Sequence, residues 1–404
     1  MKYNRRDFLL ITGLSIASAS VVKNDKSQKK DTFLGKSMPE ADESWIELNA
    51  DHIKWNLKKV RNKVKSPVMG VIKANAYGHG LIEFGKQLDQ MGINALMVCK
   101  IQEAVRLREA GVSCPVYNFG PIIPENTNIL VQYNINQFLH SGDYQKMSQR
   151  AEKLGVPINV HIHVDTGMNR MGIPYKKCLS VIKKASLLKG LSLSGISTTL
   201  CEDKQFDRVQ VKRLQSVYEQ AVNSGIRLCS RHAASSAGIF KSKSFHMDMV
   251  RPGIALYGYY PNQKTRQEDS LSLCPVLEFK SKVVDVKTLY PGDSVSYHQA
   301  YKANKKEKIA IIPVGYSDGY PYSVSGKAKV LIRGKKYPII NCITANHMEA
   351  LLSIESDVLP GDEVTLIGSQ GNETITADHI AHWAGISNYK VLIGLNPYIP
   401  RYTY

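Results

Sequence analysis

The chain changes its hydrophobic rhythm several times. In "DHIKWNLKKVRNKV", Ile53, Leu57, Val60 and Val64 recur at three- and four-residue spacing, which predicts an amphipathic helix. Val68 to Ile72 follows as an unbroken apolar run, the pattern of a strand buried on both faces. Runs of the same kind recur as "NALMVC", "CPVYNFG", "INQFL", "PINVHIHV", "LSLSGIST", "RLCSRHA" and "MVRPGIALYG", mostly separated by helical patterns. With the first, these make eight strand-then-helix units, which predicts an N-terminal (β/α)8 TIM barrel over residues 46–272.

Past about Leu273 the rhythm shortens to an alternation of period two, as in "VLEFKSKVVDVKTLYPGDSVSY" and "KAKVLIRGKKYPIINCIT". Turns at Pro291-Gly292-Asp293 and Pro360-Gly361-Asp362 punctuate it. This predicts a C-terminal, mostly β domain over 273–404, interrupted by a single short helix near "TADHIAHWAG". The fold class is therefore α/β plus β.

Residues 1–45 differ in kind. "NRRDFLLITGLSIASASVV" joins Arg5 and Arg6 to an uncharged run from Phe8 to Val22 that is too short to span a bilayer comfortably. It reads as a twin-arginine export signal with Ala17-Ser18-Ala19 as the cleavage candidate, so the expected location is the periplasm, with no stable membrane insertion. Residues 23–43, rich in Lys, Asp, Ser and Gln, read as a solvated linker.

The chain has 404 residues, 43% of them apolar, enough to bury a sizeable core. Its net charge is +18; residues 1–45 carry eight basic and six acidic side chains, so most of the excess stays with the body and favours anionic surroundings such as a cell envelope. The basic residues are scattered and interleave with no aromatic platform, which argues against nucleic acid as a partner. Seven cysteines without a C-x-x-C pair make neither a disulfide framework nor a zinc site, though one pair could form in an oxidising compartment. His161 and His163 share one face of a strand, but a metal needs two further ligands, so no metal is expected.

The chemistry-bearing oddity is Lys73, a charge at the C-terminal end of the first apolar run, where barrel enzymes gather their active groups. A lysine in a partly desolvated barrel mouth is a nucleophile toward carbonyls; the alternative is a rim lysine whose stem covers apolar surface. Position alone leaves both open.

"VIKANAYGHG" around Lys73 resembles the pyridoxal-phosphate lysine motif of alanine racemases. Further motifs follow in that family's order: "DTGMNRMG", "HAASS", "MVRPGIALYG", "VSY", "VGYSDGY" and "IPR". The resemblance covers residues 46–404. It implies that Lys73 holds pyridoxal 5'-phosphate as a Schiff base and that Tyr77, Ser236, Gly253, Ile254 and Tyr316 contact its phosphate. Arg251 would face the pyridine nitrogen and Arg170 would orient the substrate carboxylate. Tyr297 would be the second catalytic acid/base, reaching from the β domain across a head-to-tail homodimer into the partner's barrel. Substrates would be free amino acids.

The chain departs from the family pattern in four places. Thr199 stands where a histidine usually bonds the pyridine-facing arginine, leaving Arg251 with a weaker partner. His163 replaces a lysine that is often carbamylated, Pro397 replaces a phosphate-contacting tyrosine, and Thr344-Ala345-Asn346 replaces C-M-D beside the substrate. Ala345 in place of methionine opens space at the substrate side chain, which resembles the periplasmic racemases of broad range. The expected activity is amino-acid racemisation of broad substrate range; the alternatives are an alanine-specific racemase and a cofactor binder without turnover.

Overall fold

The computed structural model describes residues 42–140, 144–268, 271–340 and 342–404. The export signal, and all but the last two residues of the linker, lie outside the described residues.

Seven of the eight expected strands form one parallel sheet, in the order Met69–Val71, Ala95–Val98, Val116–Asn118, Ile135–Leu139, Ile158–Asp165, Leu191–Ser197 and Ser230–His232. The eighth, 249–258, makes no ladder of its own. Pro252 has no N–H to offer and Gly253 turns the chain away, so Ile254–Tyr257 winds into a 3-10 turn. The residues before that turn still bridge both edges of the sheet: Val250 pairs with Val68, and Arg251 with Ser235. Met69 N–H donates to Val250 O at 2.9 Å and Arg251 N–H to Ala234 O at 2.8 Å, so this segment links the first strand to the last.

The helix Ala50–Lys63 buries Ile53, Leu57 and Val60 as their spacing predicts, and Asn49 caps it by accepting the His52 N–H at 2.9 Å. The strand before it, Ser44–Leu48, belongs to neither leader nor barrel, although residue 46 is the expected start of the barrel. It pairs antiparallel with Leu277–Lys282 and parallel with Arg401–Thr403, inside the sheet of the C-terminal half. Leu277–Lys282 alternates buried and half-buried positions along its length, the pattern that predicts a strand with one face in the core.

Among the described residues two α-helices, not one, break the C-terminal β region: Ala377–Ala384 and Asn388–Gly394. The second has seven residues, too few to show a helical period. Ser387 caps it. One continuous hydrophobic core joins Val71 and Tyr257 of the barrel to Phe279 and Leu366 of the C-terminal sheet. All seven cysteines are free thiols, and among the described residues no helix is long and apolar enough to cross a membrane.

Candidate active site

At the end of the first strand the backbone takes an uncommon path. Ala74, Asn75, Ala76 and Tyr77 all have positive φ, between 51° and 55°, directly after Lys73. A left-handed conformation costs an L-residue about 1–2 kcal/mol, so such a turn persists only if its neighbours hold it. Asn75 does part of this: its Oδ1 accepts the Leu81 N–H at 2.9 Å and its own N–H donates to Glu103 at 3.1 Å. Gly78 closes the turn at φ 82°, where a Cβ would lie 1.9 Å from the carbonyl oxygen of Leu392. The Tyr77 ring lies between Tyr257, 4.9 Å away, and Tyr389, 5.8 Å away.

A cavity of about 370 Å³ opens beside this turn and brings together seven of the expected site residues: Lys73, Tyr77, Arg170, Ser236, Arg251, Gly253 and Ile254. That volume is in the range of small-ligand sites. Three others do not line it. Ala345, Tyr297 and Tyr316 lie in the β region, and the two tyrosines are 72% and 55% exposed. Tyr316 thus stands apart from the cavity wall formed by Tyr77, Ser236 and Gly253. Tyr297 opens a 3-10 turn after the two-residue strand Ser294–Val295.

The residues expected around a phosphate fit one. Ser236 Oγ accepts the N–H groups of Gly253 at 3.0 Å and Ala255 at 3.2 Å, which gathers hydroxyl and backbone on one wall. A Cβ at position 253 would lie 2.7 Å from the Tyr77 hydroxyl, so the glycine is what lets that hydroxyl reach the backbone. Burial holds the Tyr77 phenol far above its ordinary pKa, which keeps it a hydrogen-bond donor. With Lys73 and Arg251 on the same cavity, the donor set suits a phosphorylated aldehyde carrying a basic ring.

Arg251 is not weakly supported. It is buried, and its guanidinium donates to Nδ1 of His232, to His232 O at 2.9 Å and to Thr198 O at 2.6 Å. Its partner is thus the histidine of "HAASS"; Thr199 instead makes a 3.4 Å contact with His163. Burial lowers the Arg251 pKa to about 10, which still leaves it protonated at neutral pH. His232 Nδ1 must then accept, so its proton sits on Nε2 and is donated to Nδ1 of His161 at 2.8 Å. Burial and the Arg251 charge hold both imidazoles neutral, His161 with a pKa near 3. His163 bonds Ser197 at 2.9 Å.

Arg170 stands exposed at the rim, on a loop shaped by Asp165, whose Oδ1 accepts the N–H groups of Gly167 and Asn169. Of the lining residues that the sequence did not single out, two matter most. Tyr389, on the second C-terminal helix, faces Tyr77 across the cavity wall. Glu202, with φ 68°, is the one acidic side chain among the described residues that line the cavity.

Residues 48–261 match the family model of the alanine racemase N-terminal domain, and residues 276–403 that of the C-terminal domain. Alanine racemase 1 of Clostridium acetobutylicum is 35% identical over 364 residues, covering 88% of this chain and 94% of the relative. Among solved structures, an alanine racemase of Clostridium difficile superposes with a TM-score of 0.85 at 30% identity, covering 91% of this chain and 97% of that one. A histidine racemase from Leuconostoc mesenteroides superposes with a TM-score of 0.82 at 26% identity, covering 91% and 99%. With both domain models matched in order along the chain, and relatives 35% identical over most of its length, the chain belongs to the alanine racemase family.

Proposed function

We propose that this protein racemises free amino acids of broad side-chain range, with pyridoxal 5'-phosphate held at Lys73, as a head-to-tail homodimer in an exported location. The observation that carries the reading is the meeting of Lys73, Tyr77, Ser236, Arg251 and Gly253 on one cavity at the C-terminal ends of the barrel strands. Tyr77, Ser236 and the backbone at 253–254 would hold the phosphate. The bound cofactor supplies an electron sink that acidifies the Cα proton of an attached amino acid. Lys73 Nζ takes or returns that proton on one face. Tyr297 of the partner subunit serves the other face; its exposure on the β region, off its own chain's cavity, supports that role. Arg251 keeps its own proton at neutral pH and so cannot pass one to the ring nitrogen.

Range is supported by three features. Ala345 leaves room where the family has methionine, and a structural neighbour is a histidine racemase. Glu202 adds a carboxylate to a cavity that otherwise carries only the cations Lys73, Arg170 and Arg251. Neither the phosphate nor the substrate carboxylate calls for it, whereas the ammonium or guanidinium of a long basic side chain does. The curated relatives, named alanine racemases, favour the narrower reading that alanine alone is turned over. Purified protein with added cofactor should racemise L-alanine, L-lysine, L-arginine and L-serine; turnover of alanine alone would establish the narrow reading. The twin-arginine signal supports export, and cell fractionation tests it.

A further inference from the structure

The arginine of the terminal "IPR" motif lies off the cavity, yet it grips the turn that carries the lysine. Arg401 Nε and Nη2 donate to the carbonyl oxygen of Gly78 at 3.0 and 2.9 Å. The remaining donors go to Pro397 O at 3.1 Å, Ile399 O at 2.6 Å and Asn396 O at 3.1 Å. The guanidinium is thus spent on backbone carbonyls, one from the lysine turn and three from the chain's own C-terminal segment. Burial lowers the Arg401 pKa to about 10, and the nearby charge of Glu83 opposes that shift. A fork that grips one carbonyl with two N–H groups fixes direction as well as distance, which a lysine cannot do.

The same segment meets the turn at two more points. Tyr389 packs on Tyr77, and Leu392 O leaves no room for a side chain at Gly78. The four left-handed residues lie between Lys73 and the gripped carbonyl, so a release of Gly78 lets the turn relax toward ordinary backbone and moves both Lys73 and Tyr77.

We infer that Arg401 is a positioning residue for the cofactor: by clamping Gly78 O it holds the strained turn in which Lys73 and Tyr77 face the cavity together. The inference rests on the functional reading above, since it assigns these two residues to pyridoxal 5'-phosphate.

The test titrates full-length apoprotein with pyridoxal 5'-phosphate and reads the visible absorbance of the bound form, for wild type, Arg401→Lys and Arg401→Ala. Tyr398→Ala is the control, because that neighbouring side chain is 92% exposed. Thermal unfolding of each apoprotein is measured alongside. At a temperature where all are folded, both Arg401 variants should bind the cofactor at least about tenfold more weakly, while the control binds as wild type does. If Arg401→Ala does not fold, Arg401→Lys carries the test. A lowered melting temperature with cofactor affinity within twofold of wild type would overturn the inference and leave Arg401 a purely structural residue. Wild-type protein that takes up no cofactor would overturn the functional reading, and this inference with it.

Discussion

His232 accepts a hydrogen bond from Arg251 on Nδ1, and that contact fixes the proton positions of two imidazoles in line behind it. Arg251 can only donate, so His232 and then His161 must each carry the proton on Nε2. The cation lining the cavity is therefore backed by a neutral, directional chain.

Replacing His232 with leucine removes the side-chain acceptor and leaves Arg251 to backbone carbonyls. Turnover should fall about 10- to 100-fold, the usual cost of losing a group that orients an active one, with the cofactor absorbance retained. Steady-state kinetics beside a spectrum check this. Unchanged turnover would show that the carbonyls of Thr198 and His232 suffice to aim the guanidinium.

Lys73→Ala should abolish the visible absorbance of the bound cofactor, because no other lysine lines the cavity among the described residues. A spectrum unaltered by that change would place the attachment elsewhere.

Tyr297→Phe should retain the cofactor and lose most racemisation, with exchange of the α-proton into solvent suffering more from one enantiomer than from the other. A mixing experiment tests the shared site. Inactive Lys73→Ala and Tyr297→Phe homodimers, allowed to exchange subunits, should recover about one quarter of wild-type activity, since half the dimers then hold one intact site. No recovery on verified exchange would mean that each chain supplies its own second base.

Glu202→Gln should lower kcat/KM for L-lysine about tenfold relative to L-alanine, the worth of one charge-assisted hydrogen bond at a partly exposed site. Equal losses on both substrates would make Glu202 a general support of the loop.

The barrel and the lysine were legible because their signals are local. An apolar run that stops at a lysine, followed by glycines, is readable within fifteen residues, and seven of eight strands lie where the runs do. What escaped depends on distant partners. Ser44–Leu48 straddles the expected boundary between linker and barrel, and only its pairing with Leu277–Lys282 puts it in the far sheet. Tyr389 shows no signal in "NYKVLIG", since its place beside Tyr77 follows from how a seven-residue helix docks. His232 was visible in "HAASS", yet its bond to Arg251 needs the parallel juxtaposition of two segments 19 residues apart.

The buried histidines also set a stability limit. Burial holds the pKa values of His79 and His161 near 3, against about 6.5 in an unfolded chain. Below pH 6.5 the unfolded state binds protons that the native state refuses, so their contribution is complete above pH 6.5 and lost as pH falls toward 3. From pH 6.5 to 5 each should cost about 2 kcal/mol. Denaturant unfolding at pH 7 and pH 5 measures this; equal midpoints would mean that these imidazoles take up protons without unfolding.

Racemisation requires this cavity to move the α-proton of amino acids. The most direct measurement incubates purified protein and pyridoxal 5'-phosphate with L-alanine, and separately L-lysine, in D2O, following the Cα proton by NMR and the enantiomers by chiral chromatography. For both amino acids the α-proton signal should disappear as the D-enantiomer appears. Bound cofactor with an undiminished α-proton on both would contradict the proposed racemisation.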